Sequence, residues 1–135
     1  MMMNELRKAR RTVQTARVDL DAGDGAASVN RSYYAMYYVA RATLMSADTD
    51  GPKTHSALIG TFSRRFVESG LLPRQLGRDF NKIEEQRRYV DYIADEEIPL
   101  DVASEVLDKA TAFVDTVVAC LCSDADPASR GGNDS

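Results

Sequence analysis

Apolar residues near the start of the chain recur at alternating steps of three and four, at Leu6, Ala9, Val13, Ala16 and Leu20. That spacing keeps one face of an α-helix apolar. With Asn4 where an N-cap belongs, it predicts a helix from Asn4 to about Ala22, ended by Gly23. Asp24 is placed to cap a second helix, which runs to about Ser46 and stops at the polar turn ADTDGP. Thr54 can cap a third, with Leu58, Ile59, Phe62 and Phe66 facing inward and Gly70 as its stop. Pro73 opens a fourth, whose inward stripe of Leu76, Phe80, Ile83, position 87 and Val90 carries it to about Tyr92 or Ile93, where ADEEIP breaks it. A fifth, from about Leu100 to Leu121, bears Val102, Val106, Ala110, Phe113, Val117 and Leu121 at helical spacing. No segment alternates with the period of a strand and no repeat occurs. The expected fold is all-α, an antiparallel bundle of four to five helices with short connections.

Length and composition refine this picture. At 135 residues and 44% hydrophobic, the chain can bury a real core as one domain. That domain is expected over residues 1–122, with SDADPASRGGNDS, residues 123–135, disordered by its composition. The net charge of −4 argues against a broad basic surface for nucleic acid, so any RNA site has to be local. The most apolar late run, TAFVDTVVACLC, is short and interrupted by Asp115, so a soluble, cytoplasmic protein without a membrane segment is expected. Cys120 and Cys122 would point to nearly opposite sides of a helix and fit a reducing compartment. With His55 the single histidine, no metal site is expected, and no cofactor.

Three places depart from the ordinary pattern of a helical core. The stripe of the fourth helix calls for an apolar residue at position 87 and the chain supplies Arg87. A guanidinium there must find carboxylates, line a cleft, or reach outward along its stem. Asp91, one turn later, is its nearest partner, and Glu84 can assist from one turn earlier.

The second departure is NRSYYAMYYVARATL in the second helix. At about 100° per residue, Tyr33, Tyr37, Ala40 and Leu44 share one face that suits the core. Tyr34, Tyr38, Arg31 and Arg41 fall on a neighbouring arc, where aromatic rings mix with guanidiniums. That arc can pack against another helix, meet a second copy of the chain, or stack on unpaired bases. The third departure is His55, which follows Lys53 and Thr54 at a helix start, where free amides and a lysine can hold a phosphate or simply form a solvated turn.

Taken in order, NRSYYAMYYVARATL, KTHSALIGTFSRRFVESG and RRYVDY resemble the HEPN family, over about Asn4 to Leu121 and chiefly its small stand-alone prokaryotic members. The resemblance implies an antiparallel helical bundle, usually a homodimer, often encoded beside a minimal nucleotidyltransferase in a module that behaves like a toxin–antitoxin pair. Catalytic members are metal-independent ribonucleases that use an arginine followed four to six residues later by a histidine. Arg87 takes the arginine position, but five residues on stands Tyr92, and no histidine follows. The tyrosine variant that accepts nucleotide groups is not matched either, because its position is Ala94.

Three functions follow from that resemblance. The preferred one is a non-catalytic or weakly active subunit that homodimerises and binds a nucleotidyltransferase, a nucleotide, or both, with Arg87, Asp91, Arg31 and Lys53 lining the cleft. The second is a ribonuclease toxin with a divergent site, acting on RNA through Arg87 with His55 or Tyr92 handling protons. The third is a purely structural dimer module. In each, Tyr34, Tyr38 and Arg41 form the dimer or ligand face.

Overall fold

A computed structural model of the chain describes residues 2–46, 54–93 and 97–125. Five helices lie within them: α1 (Met2–Asp21), α2 (Gly25–Ser46), α3 (His55–Phe62), α4 (Arg74–Ile93) and α5 (Leu100–Ala125). A π-helical turn, Ser63–Val67, prolongs α3. No strand occurs among the described residues, as the all-α expectation requires.

The helix boundaries follow from local chemistry. After α1 the chain turns at Gly23, whose φ of +84° costs a glycine little. There the amides of Gly23 and Asp24 donate back to the carbonyls of Leu20 and Asp19. Asp24 then caps α2, its Oδ1 accepting from the Ala27 amide at 3.0 Å, and Thr54 caps α3 through the Ala57 amide at 3.1 Å.

Three boundaries differ from the sequence pattern. Helix α1 already begins at Met2, so Asn4 lies in its first turn and its Oδ1 accepts from Arg7 at 3.3 Å instead of capping. The third helix is α-helical only to Phe62 before the π turn leads on toward Gly70. Helix α5 extends to Ala125, past the expected end at Leu121 and into the first three residues of the tail expected to be disordered, whose remaining residues 126–135 lie outside the described residues.

Helices α1 and α2 run antiparallel. Glu5 pairs with Arg41, Lys8 lies over the Tyr38 ring, the Ser28 hydroxyl donates to the Ala16 carbonyl, and Asp19 pairs with Arg31. Residue numbers thus rise on one helix as they fall on the other. Helix α2 is the centre of the bundle and touches α1, α3, α4 and α5. Its small residues Ala35, Ala40 and Ala42 are fully buried there.

At its first residue the approach is closer still. A Cβ on Gly25 would come within 2.6 Å of the Ile98 carbonyl oxygen. Phe62, Phe80 and Phe113, from α3, α4 and α5, pack ring against ring with centroids 5.0–5.8 Å apart. The Tyr33 ring sits 6.2 Å from that of Phe80. The aromatic core therefore continues through Phe80 to Tyr33.

Candidate functional site

The three sequence motifs, far apart along the chain, meet at one place. Tyr33 of α2 is fully buried, and its hydroxyl lies 3.0 Å from Nδ1 of His55, the first residue of α3. The Arg87 guanidinium of α4 rests 4.8 Å from the centre of the same tyrosine ring and 5.9 Å from that of Tyr34. The imidazole also packs against Tyr37, with centroids 4.5 Å apart and the planes tilted by 36°, and meets Tyr34 edge-on at 5.6 Å.

Arg87 neither snorkels freely nor lies unpaired. Its side chain is 14% exposed. Nη2 donates to Glu84 Oε2 at 3.1 Å and Nη1 to Asp91 Oδ2 at 2.9 Å. Its Nε is buried without a hydrogen-bond partner among the described residues. Glu84, itself buried, takes a second guanidinium, that of Arg88, at 2.9 Å. Two anions and two cations thus balance along one side of α4.

The surroundings set the protonation states. Burial pushes the Tyr33 hydroxyl far above the ordinary tyrosine range, with Glu84 adding to the rise and Arg87 opposing it. Burial likewise lowers His55 below its usual value, with Arg87 acting in the same direction and Glu84 against it. At neutral pH the pair is a phenol beside a neutral imidazole, and either can donate the hydrogen bond between them. A neutral imidazole can accept a proton, whereas this phenol is a very poor source of phenolate.

The residues singled out in the sequence divide into groups. Arg87, Asp91, His55 and Tyr34 come together. Tyr38 adjoins them through Tyr34 and Tyr37, at 6.0 and 5.9 Å between centroids, but carries Lys8 of α1 over its ring. Arg41 borders the cluster, its guanidinium 6.0 Å from the Tyr37 ring and 3.4 Å from Glu5. Arg31 is engaged with Asp19 at 2.7 Å. Tyr92 is 87% exposed, because five helical steps turn it about 140° away from Arg87. Lys53 and Ala94 lie outside the described residues.

Sequence reasoning assigned Tyr33 and Tyr37 to the core alone, and it gave Glu84 only a supporting part. Tyr33 is both a core residue and the point where His55 and Arg87 meet, and Glu84 is the buried anchor of the arginine pair. A wheel drawn for α2 could not reveal that α3 starts across from it. Among the described residues, no group of three or more histidine, cysteine or acidic side chains is placed to hold a metal, and no helix is long and apolar enough to cross a membrane.

Comparison with known proteins adds a lineage to this geometry. Residues 2–121 match the family model described as the HEPN domain. A UPF0332 protein of Thermotoga maritima is 31% identical over 111 residues, covering 82% of this chain and 83% of that one. Two proteins of Methanocaldococcus jannaschii, each named as a putative toxin, are also 31% identical. One aligns over 94 residues, 70% of this chain and 69% of the relative. The other aligns over 87 residues, 64% of this chain and 58% of the relative.

Proposed function

The chain belongs to the HEPN family, and on that premise we propose that it is the HEPN subunit of a toxin–antitoxin-like pair, with little or no catalysis of its own. It forms a homodimer, binds a nucleotide at the cleft around Arg87, and pairs with a minimal nucleotidyltransferase. The observation that carries the ligand reading is the setting of Arg87: a guanidinium fixed between a buried carboxylate and two tyrosine rings, against which His55 also packs. Arginine over aromatic rings suits a phosphate with an adjoining base. The weak catalysis follows from the helix itself. The residue five positions beyond Arg87 is a solvent-exposed tyrosine, so α4 brings no imidazole to its own arginine, only the ion-paired carboxylates of Glu84 and Asp91.

One observation favours a second reading. His55 Nδ1 and the Arg87 guanidinium touch the same tyrosine, Tyr33, from two different helices. On this reading an imidazole from α3 substitutes for the one missing from α4, and the protein acts as a metal-independent ribonuclease. The relatives named as putative toxins are compatible with either reading.

The decisive measurement is cleavage of single-stranded RNA by the purified protein in the presence of a chelator, comparing the parent with Arg87→Ala and His55→Ala. No cleavage above the level of either variant, together with Arg87-dependent nucleotide binding, is the expected result. Cleavage that both substitutions abolish establishes the ribonuclease reading instead.

A further inference from the structure

Each terminal nitrogen of Arg87 already donates to a carboxylate and Nε is buried, so a phosphoryl group that takes a carboxylate's place on this guanidinium must displace either Glu84 or Asp91. The two are not equivalent. Glu84 has a side chain only 10% exposed and is shared between Arg87 and Arg88, so removing it would strand a half-buried cation. The Asp91 side chain is 57% exposed and meets Arg87 through a single bond of 2.9 Å from Oδ2. Released, that carboxylate returns to water at little cost, because most of it is hydrated already.

We propose that the Asp91 carboxylate occupies the place of the ligand's phosphoryl group on Arg87, and that binding exchanges one anion for the other. This rests on the reading that Arg87 belongs to a nucleotide cleft, and it adds a built-in competitor that sets the affinity. Glu84 and the rings of Tyr33 and Tyr34 hold the guanidinium still while the exchange occurs, so the ligand meets a preorganised donor. A phosphoryl group brings more charge and more acceptor oxygens than the carboxylate it replaces. Its source is either a free nucleotide or the backbone of a single-stranded RNA.

The test uses the full chain in metal-free buffer, with adenosine 5′-monophosphate followed by calorimetry and a labelled single-stranded RNA followed by fluorescence anisotropy. Asp91→Asn and Asp91→Ala should each bind about threefold to fivefold more tightly than the parent, the range expected for removing one exposed ion pair. Arg87→Ala should bind at least about tenfold more weakly. A gain with the mononucleotide identifies a free nucleotide as the source, and a gain confined to RNA identifies the backbone. Both support the exchange. Unchanged or weaker binding by the Asp91 variants overturns it, and where Arg87→Ala still weakens binding, the nucleotide reading survives alone. Binding that is absent from every protein, or indifferent to Arg87, overturns both.

Discussion

The Tyr33 hydroxyl and the His55 imidazole lie 3.0 Å apart, although 22 residues separate them in the chain. This one contact ties the start of α3 to the middle of the bundle's central helix. Burial and Arg87 both hold the imidazole in its neutral form. Because the folded pKa lies below the unfolded one, the unfolded chain binds more protons at mildly acid pH. Stability is then complete above the ordinary histidine value, about 6.5, and declines as pH falls from there toward the lowered folded value. His55→Gln should remove that part of the decline. Thermal melts of both proteins between pH 7.5 and 5 should show the parent losing more Tm than the variant, and parallel losses would refute the linkage.

Glu84→Gln should cost about 1–3 kcal/mol, the usual range for a hydrogen bond to a charged group lost below the surface. It keeps the shape of the side chain but leaves Arg87 with only the exposed Asp91 as a charged partner. Asp91→Asn, by contrast, should change stability by less than about 1 kcal/mol. Urea denaturation of the two variants checks the ordering.

Tyr38→Glu tests the homodimer through the arc expected to form it. If a second copy of the chain covers Tyr34 and Tyr38, a carboxylate at this position should convert dimer to monomer in light scattering while helical circular dichroism persists. The ring is partly buried beneath Lys8, so the change also draws on the contact between α1 and α2. An unchanged dimer moves the interface elsewhere.

Gly25→Ala should destabilise by about 1–3 kcal/mol, the usual cost of overpacking. The obstacle is the Ile98 backbone oxygen, 2.6 Å from the new methyl group, and backbone cannot swing aside as a side-chain tip can. Equilibrium unfolding provides the measurement. No loss of stability would mean that the chain before α5 adjusts freely.

The helices were legible because each is a local matter of period and cap. Asp24 and Thr54 cap as expected, and the stripe on α4 correctly marked position 87 as the odd one. The π turn was not legible, since Phe62 and Phe66 pack with centroids 5.6 Å apart while the backbone between them departs from the α-helical ladder. Nor was the depth of Glu84, which depends on how α4 leans on α2. A residue's own helix gives its direction, while its neighbours across the bundle decide what it meets. Tyr33 illustrates this: its face pointed to the core, and the core at that point is where Arg87 and His55 arrive.

A peptide copied from α2 would carry all four of its tyrosines and none of the cluster they join. The ring that organises it needs His55 from one helix and Arg87 from another, and it leans on Phe80, which in turn rests against Phe113. The smallest excisable unit that keeps this cluster is therefore close to the whole bundle. Grafting it onto another scaffold would require transplanting the crossing of α2, α3 and α4 as well as the residues.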